Sequence, residues 1–145
     1  MPRENCPHCG HFLLAPVGPV SSNILVVGDY PDWMDVSRAT PFYDGDRGMR
    51  AGNILRGELE RVSINPARVR YTNLWLHAKG KKEECKVGFH ITKFLRQLLK
   101  VEFALIAGSD PLQVLLPEAS AAAWSGLEII SPELPSNVRA MASVK

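Results

Sequence analysis

The sequence predicts an α/β fold of three layers (αβα), in which helices cover both faces of a central, mainly parallel, four-stranded sheet. Short apolar runs typical of buried strands alternate along the chain with amphipathic stretches of helical period, and this alternation favours a parallel sheet. The chain has 145 residues, of which 46% are hydrophobic and 22% are charged. That size and composition suit one globular domain with a single core, which we expect to span residues 1–145.

The first strand is predicted at residues 24–27, after an extended arm over residues 1–22 that is rich in proline and glycine towards its end. Four apolar residues run directly into Gly28 and Asp29, which is typical of a buried strand that ends in a tight loop. Ligands bind beyond the carboxyl ends of strands in open α/β sheets, so Asp29 stands where chemistry is expected. Residues 29–48 lack helical period and are predicted to form a long loop, a feature that is often functional.

The first long helix is predicted over residues 52–62, because its apolar residues recur at helical spacing. Those residues are Ile54, Leu55, Leu59 and Val62. The Asn-Pro pair at residues 65–66 ends the helix. A second strand is then expected at residues 69–74.

The second half of the chain repeats the alternation. A helix is predicted over residues 83–99 and a strand, buried on both faces, over residues 103–107. A short helix over residues 110–116 begins with a proline in its first turn, where proline is tolerated. A fourth short strand is expected at residues 127–130. The tail after residue 131 contains two prolines and is predicted to form loops, with a final helical turn.

Charge and hydropathy narrow the possible partners. No run approaches the roughly 20 apolar residues that a membrane span needs, and no basic-then-apolar signal segment opens the chain, so we expect a cytoplasmic protein that does not bind membranes. The formal net charge is only +2, which gives no strong nucleic-acid signal. Seven arginines nevertheless fall within one stretch, which forms either a solvated face or a surface that follows phosphates. They are Arg38, Arg47, Arg50, Arg56, Arg61, Arg68 and Arg70.

The three cysteines point to a metal rather than to disulfides, because their number is odd. Cys6 and Cys9 form a Cys-x-x-Cys pair in the arm, a spacing that in a cytosolic protein indicates metal or redox chemistry. Thiolate and imidazole suit zinc or an iron–sulfur cluster. Two further ligands are needed; Cys85 is the first candidate, and His77 and His90 compete for the fourth place. In the alternative interpretation, His90 packs on a helix and His77 is solvated.

The order of these motifs resembles the iron–sulfur (family-four type) uracil-DNA glycosylases over roughly residues 5–116. Residues 28–32 (Gly-Asp-Tyr-Pro-Asp) correspond to the family's Gly-Glu-Ala-Pro-Gly. Residues 41–44 and 51–55 correspond loosely to its Pro-Phe-Val-Gly-x-Ala-Gly stretch, and residues 71–77 to its Tyr-Ile-Thr-Asn-x-x-Lys-Cys element. Residues 105–108 correspond to its Ala-Leu-Gly segment. The short chain suggests a compact, phage-encoded member.

The resemblance implies a uracil-DNA-glycosylase-like fold and a role for each matched residue. Phe42 would stack on an extruded base, and Asn73 would hydrogen-bond its pyrimidine edge. Asp29 would orient or activate the attacking water, or stabilise the developing cationic sugar. Tyr30 and Ser136 complete the predicted substrate-binding set. The metal would be structural and would hold the N-terminal arm against the second long helix.

Two departures from the family pattern bear on these expectations. The family's third cysteine falls on His77 and its fourth falls beside His90, so an iron–sulfur cluster, a histidine-ligated cluster and zinc all stay open. The predicted ligands are Cys6, Cys9, His77 and Cys85, with His90 as the alternative fourth ligand. The family's His-Pro-Ser loop has its nearest match at residues 134–139, where Leu134 replaces the histidine, and no histidine follows His90.

The sequence thus leaves three functions open. The first is a monomeric DNA glycosylase that removes uracil or a related modified pyrimidine by hydrolysis of the N-glycosidic bond. The second is a relative that binds DNA or protein and has lost catalysis together with the second motif. The third is a small metal-stabilised α/β domain with another small-molecule substrate.

Overall fold

The computed structural model describes residues 5–38, 40–43, 51–77, 85, 87–117 and 128–142. Within these ranges the chain forms one sheet of five strands. In chain order they are β1 (Ile24–Gly28), β2 (Arg70–Asn73), β3 (Phe103–Ile106), β4 (Glu128–Ile129) and β5 (Arg139–Ala142). The spatial order is β2-β1-β3-β5-β4, so β1, β3 and β5 lie inside the sheet. β1 is buried on both faces. The same was predicted for β3 and is wrong, because Phe103 and Leu105 on one of its faces are only half-buried.

Four helices and one 3-10 turn connect these strands in the described part of the chain. The helices are α1 (Trp33–Ser37), α2 (Ala51–Arg61), α3 (Val87–Leu98) and α4 (Ser109–Leu115). The 3-10 turn, Pro66–Arg68, begins after Asn65, whose side chain accepts a hydrogen bond from the Ala67 amide. This cap is the local reason that the chain turns from α2 into β2 at the Asn-Pro pair.

The sheet is parallel except at one edge. β1 pairs in parallel with β2 and with β3, and β3 pairs in parallel with β5. Only β4, of two residues, runs antiparallel, beside β5. The register of β1 and β2 sets Gly28 opposite Asn73, so the carboxyl ends of these two strands meet.

Helices cover both faces of this sheet, as predicted. On one face, Val26 packs with Leu59 of α2, Val69 and Tyr71. On the other face, the neighbouring strand residues Leu25 and Val27 belong to a larger cluster with side chains of α3 and α4, including Phe94, Leu98, Leu112 and Leu115. Successive residues of a strand point to opposite faces, which is why one apolar run supplies both cores.

The structure confirms the four predicted strands and corrects the count to five. The added strand is β5, in the tail for which loops and a helical turn were predicted. Its sequence, Arg-Ala-Met-Ala, is a weak strand former, and its alternating exposed and buried residues become meaningful only beside β3. The predicted start of the helix over residues 83–99 falls on residues 83, 84 and 86, which lie outside the described residues.

The long loop predicted for residues 29–48 contains α1, a helix of five residues. Asp32 precedes α1 and its Oδ1 accepts a hydrogen bond from the Asp35 amide, while Oδ2 of Asp35 accepts one from the Asp32 amide. This reciprocal capping supports a helix too short to show a hydrophobic period. Residues 44–50 lie outside the described part of the chain.

The N-terminal arm runs along the free edge of β2. Val17 and Tyr71 exchange two backbone hydrogen bonds, of 3.0 and 2.8 Å, and the Leu14 amide donates to the Leu76 carbonyl. Gly18 makes this approach possible, because a Cβ there would lie 2.8 Å from the Arg70 Cα. In the part of the chain that the structure describes, no helix has the length and apolarity needed to cross a membrane.

Candidate functional site

The carboxyl ends of β1, β2 and β3 form the edge at which the predicted pocket residues meet. The chain leaves β1 towards β2 on one side, and β3 lies on the other side of β1. Such a reversal of strand order opens a crevice beyond the strand ends, where ligands bind in open α/β sheets. Asp29 follows β1 and Asn73 ends β2, so both lie at this edge.

Phe42 and Asn73 meet over the backbone of Gly28. A Cβ built on Gly28 would lie 2.6 Å from Oδ1 of Asn73 and 2.6 Å from Cζ of Phe42. Only glycine leaves room for both groups, since Cβ atoms in proteins do not come as close as 2.6 Å to other heavy atoms. Asn73 is buried and Phe42 is half-buried. The strand end thus holds an aromatic ring beside a carboxamide, two groups that recognise planar heterocycles.

The backbone of Phe42 is held in an unusual conformation. Its φ is +54°, in the left-handed region that non-glycine residues seldom adopt. The guanidinium of Arg56 donates to the Phe42 carbonyl and, at 3.2 Å, to the Gly52 carbonyl. Gly52 itself must be small, because a Cβ there would lie 2.7 Å from the Tyr43 carbonyl oxygen. A strained residue fixed in this way is a feature of ligand-binding sites.

Asp35 fixes the same turn from the opposite side. Its buried carboxylate accepts a hydrogen bond of 2.9 Å from the Tyr43 amide, in addition to the bond from Asp32. Neither Asp35 nor a role of Arg56 in this turn was predicted from the sequence, in which Arg56 is one of seven arginines of the predicted face. The spacing of two aspartates, Asp32 and Asp35, is a capping signal that could have identified the first. The role of Arg56 depends on the approach of α2 to the turn and leaves no local signal.

Asp29 lies between the ends of β1 and β3 and caps α4. Its Oδ1 accepts a hydrogen bond of 2.8 Å from the Asp110 amide in the first turn of α4. Gly108 permits this approach, since a Cβ there would lie 2.7 Å from Cγ of Asp29. The carboxylate is half-buried, and Asp29 directly follows Gly28, over which the Phe42–Asn73 pair meets. Asp29 therefore has a structural role at the site in which catalysis was predicted for it.

Of the two other predicted substrate-binding residues, Ser136 lies apart from the pair. Tyr30 is next to Asp29 in the chain, but its side chain is 46% exposed. Ser136 is exposed and precedes β5, and because β5 is parallel to β3, Ser136 lies at the amino edge of the sheet. The structure thus does not bring Ser136 to the carboxyl edge that carries Asp29, Phe42 and Asn73.

Three arginines of the predicted face make contacts within the protein. Arg56 holds the Phe42 turn, Arg61 pairs with Glu58 at 2.8 Å, and Arg70 donates to the Gly18 carbonyl at 2.8 Å. Arg47 and Arg50 lie outside the described residues. An apolar groove of about 560 Å³ between α3 and α4 is lined by Trp75 and Ile91 among others. Phe42 and Asn73 are not among its lining residues.

Near its N-terminus the arm forms a tight turn that holds Cys6 and Cys9 of the Cys-x-x-Cys pair. The Cys6 amide donates to the His11 carbonyl, and the Gly10 amide donates to the Cys6 carbonyl. Gly10 has a φ of +77°, a conformation that suits glycine. The backbone amides of His8 and Cys9 donate to the sulfur of Cys6, as amides of a tight turn do for an anion.

Five metal-ligating side chains converge where this turn meets the end of β2 and the start of α3. Sγ of Cys85 lies 3.5 Å from Sγ of Cys6, 3.3 Å from Nε2 of His77 and 3.4 Å from Nε2 of His90. Sγ of Cys9 lies 3.3 Å from Nε2 of His77. The ligating atoms of Cys6, His77, Cys85 and His90 all lie within 4.8 Å of one another. The cluster is compatible with a structural metal, either zinc or an iron–sulfur cluster.

The ionisation of these groups reflects their crowding. Burial, and then the neighbouring sulfurs of Cys6 and Cys9, raise the pKa of the Cys85 thiol to about 12. Burial alone would raise the pKa of Cys6 too, but the backbone amides of His8 and Cys9, together with the side chains of Cys85 and Cys9, outweigh it and hold that pKa below its ordinary value. Burial and the nearby His77 lower the pKa of His90 to about 4. A bound divalent cation would favour deprotonation of all the thiols.

Aromatic rings pack around His90 in the cluster. The ring of His90 lies 4.7 Å from that of His77, 5.0 Å from that of Trp75 and 5.4 Å from that of Phe89, between centroids. His77 and His90 are both buried. Cys6 is also buried, whereas Cys9 and Cys85 are half-buried. Burial of a donor atom strengthens its electrostatic interaction with a cation. The solvated His77 of the alternative interpretation is wrong, since this side chain is buried in the cluster.

Models of protein families give no match to this sequence, and curated proteins give none either. Two sites of the structure bear on function: the Phe42–Asn73 pair at the strand ends, and the cysteine–histidine cluster.

Proposed function

We propose that this protein binds a pyrimidine base, uracil or a related modified base, that is extruded from DNA, and hydrolyses the bond between the base and its sugar. The observation that carries the proposal is the meeting of the Phe42 ring and the Asn73 amide over Gly28. The pair and Asp29 lie at the same edge of the sheet, where ligands bind in open α/β sheets.

Each member of the pair supplies a distinct part of base recognition. A carboxamide offers a donor and an acceptor side by side, which matches the alternating carbonyl and N–H groups of a uracil edge. An aromatic ring stacks on any base, and such stacking is worth about 1–3 kcal/mol per base. The base must leave the stack for its sugar bond to be reached. Arg56 and Asp35 would hold the ring in place before the base arrives.

Asp29 would act on the sugar side of the base. In hydrolysis the water oxygen forms a new bond to the sugar carbon, the carbon–nitrogen bond breaks, and its electron pair leaves with the base. A carboxylate at this point orients the water, accepts its proton or stabilises the positive charge on the sugar. Asn73 can donate to the base carbonyl on which negative charge collects. A carboxylate accepts several hydrogen bonds at once, so capping of α4 and catalysis are compatible.

DNA binding would rest on local charge. The net charge of +2 gives little long-range attraction, and Arg56, Arg61 and Arg70 already hold local structure. The affinity should therefore come from a few phosphate contacts and fall steeply as salt rises. The metal cluster would contribute through structure, because it joins the arm to the ends of β2 and α3.

A second candidate is a protein that binds DNA without cleaving the base from its sugar. Two observations favour it. The Asp29 carboxylate already caps α4, and Ser136, from the nearest match to the second catalytic motif, lies at the opposite edge of the sheet. The sequence also has no histidine after His90 that could donate to the leaving base.

The test is incubation of the full chain with single- and double-stranded oligonucleotides that contain one uracil, followed by alkali, which breaks the strand at an abasic site. We expect strand breaks with the wild type. Asp29→Asn should abolish them while it preserves the fold, because asparagine caps helices as well as aspartate does. Glu102→Gln, which neutralises an exposed carboxylate, is the matched control and should cleave normally.

Binding is measured on the same oligonucleotides by fluorescence anisotropy, with thymine in place of uracil as the reference. Preference for uracil that is lost in Phe42→Ala and Asn73→Leu, together with cleavage, supports the enzyme. The same preference without cleavage supports the binding protein. Equal binding of both oligonucleotides by the folded wild type would contradict the proposed base pocket.

A further inference from the structure

The cysteine–histidine cluster contains five candidate ligands, one more than a tetrahedral ion accepts. Five sets of four are therefore possible, and four of them include His90. The hydrogen bonds of His90 distinguish them.

The backbone amide of Leu76 donates to Nδ1 of His90 across 3.1 Å. An amide N–H can only donate, so Nδ1 must present its lone pair and carry no proton. A neutral imidazole has one proton, which must then lie on Nε2. That nitrogen faces Sγ of Cys85 at 3.4 Å and Sγ of Cys6 at 3.9 Å. With a proton on it, Nε2 of His90 donates to sulfur and has no lone pair for a metal.

Metal-ligating histidines show the reverse arrangement, because they donate the N–H of their second nitrogen to an acceptor. Rotation of the His90 ring by 180° about its axis does not remove the conflict. It would set a carbon against the Leu76 amide and leave a buried backbone N–H without its partner, at a cost of about 1–3 kcal/mol.

Three separations among the remaining four donors are close to those around one tetrahedral ion. Zinc–sulfur and zinc–nitrogen bonds of about 2.3 and 2.0 Å place the corners of a tetrahedron about 3.3–3.8 Å apart. The observed separations are 3.5 Å for Cys6–Cys85 and 3.3 Å for both Cys9–His77 and His77–Cys85. Ligands to four different irons of a cluster would lie farther apart, because the irons themselves are separated.

We infer that this cluster is a site for a single zinc ion held by Cys6, Cys9, His77 and Cys85. His90 stays outside the coordination shell, and its Nε2–H group donates hydrogen bonds to the thiolates. The charges of these groups are consistent with this ligand set. Three thiolates and one neutral imidazole give a zinc site a net charge of −1, and such a charge in a buried position needs donors around it. His90 supplies one, and the amides of His8 and Cys9 supply two more at Cys6.

The decisive measurement uses the wild-type chain, purified from cells supplied with both zinc and iron, and does not depend on activity. Elemental analysis should give one zinc per chain, without inorganic sulfide. X-ray absorption at the zinc edge should give three sulfur neighbours and one nitrogen. Two sulfurs and two nitrogens would place His90 in the shell and overturn the ligand set. Iron with inorganic sulfide and a visible absorption band would overturn the single-ion site.

Variants loaded with Co²⁺ test the ligands separately. The intensity of the sulfur-to-cobalt absorption should fall in Cys9→Ser and stay at the wild-type level in His90→Gln. Both variants should bind metal more weakly. The loss should be about 10–100-fold for His90→Gln, as for other outer-shell partners, and larger for Cys9→Ser and His77→Ala. Loss of tetrahedral cobalt bands in His90→Gln, with the bands intact in Cys9→Ser, would contradict the inference.

Discussion

Asn73 and His77 are joined by a short stretch of chain whose backbone is hydrogen-bonded to the cysteine–histidine cluster. His77 is a member of the cluster, and Leu76 before it donates to Nδ1 of His90. The Leu76 carbonyl accepts from the Leu14 amide of the arm. The end of this stretch nearest the cluster is therefore fixed by groups that the metal would hold together.

The other end of the stretch is bonded to the strand that carries the pocket. The Leu74 amide donates to the Gly28 carbonyl and the Trp75 amide donates to the Asp29 carbonyl, both at 2.9 Å. Asn73 directly precedes these bonds and pairs with Gly28 in the sheet register. The position of the Asn73 amide thus depends on contacts with β1. It also depends on the cysteine–histidine cluster, to which Leu76 is hydrogen-bonded three residues later.

Removal of the metal should consequently weaken base binding although no metal ligand lines the pocket. We expect a strong chelator to lower the melting temperature and to reduce the affinity for a uracil oligonucleotide at least tenfold, because a ligand that binds only the folded state stabilises it. Thermal melting and anisotropy before and after chelation measure both effects. Added Zn²⁺ should restore them and Mg²⁺, which prefers oxygen ligands, should not. Unchanged affinity in metal-free protein would refute the coupling.

Gly28→Ala should close the base pocket. The added methyl would lie 2.6 Å from both Asn73 and Phe42, so one of these side chains must move away. We expect a loss of uracil affinity of tenfold or more, with a destabilisation of about 1–3 kcal/mol that is typical of overpacking. Urea denaturation and anisotropy measure the two quantities.

Gly57→Ala provides the matched control for that substitution. Gly57 lies within α2, and a Cβ there would meet nothing within 4 Å. Alanine at a helical glycine stabilises by about 0.5–1 kcal/mol, so this variant should be more stable and should bind as the wild type does. If Gly28→Ala bound uracil as well as Gly57→Ala does, Phe42 and Asn73 would not form the base site.

The sequence was a sufficient guide to the parts of this fold that depend on local patterning. The run at residues 24–27 identifies the buried strand β1, and Phe94 and Leu98 of α3 are buried at helical spacing. The predicted spacing of α2 is only partly right, because Leu59 is buried and Leu55 is half-buried, whereas Ile54 and Val62 are exposed. The cysteine pair likewise predicted a closed cluster with Cys85 and a histidine. In each case one segment carries the whole signal.

The features that the sequence left open depend on contacts between distant segments. β5 is a strand because β3 is beside it, and Ser136 lies at the amino edge because β5 runs parallel to β3. The role of Arg56 exists only where α2 meets the Phe42 turn. The tautomer of His90 is set by the Leu76 amide, 14 residues away in the chain. No local pattern of residue types records such approaches.

Asp35→Ala should displace Phe42 without disturbing the metal. The substitution removes the acceptor of the Tyr43 and Asp32 amides, and an unsatisfied buried donor costs about 1–3 kcal/mol. We expect lower stability and weaker uracil binding, with unchanged zinc content. Ser37→Ala, at an exposed position of the same helix, should alter neither. Wild-type affinity in Asp35→Ala would mean that the turn is held by other contacts.

Arg56→Gln should separate the hold on Phe42 from the stability of α2. The guanidinium donates to the Phe42 and Gly52 carbonyls and lies 4.5 Å from the centroid of the Tyr71 ring, a cation–π contact worth about 0.5–2 kcal/mol. Its loss should relax the left-handed conformation of Phe42 and lower uracil affinity several-fold. Anisotropy with the uracil oligonucleotide measures this loss.

Arg61→Gln controls for the loss of a positive charge from the same helix. Arg61 is exposed and pairs with Glu58 three residues earlier, an interaction worth about 0.3–0.5 kcal/mol at the surface. Both variants lower the net charge by one, so general attraction to DNA falls equally in the two. A larger loss of uracil preference in Arg56→Gln than in Arg61→Gln would assign the effect to the Phe42 turn. Equal losses would mean that Arg56 acts only through its charge, and that the conformation of Phe42 does not limit base binding.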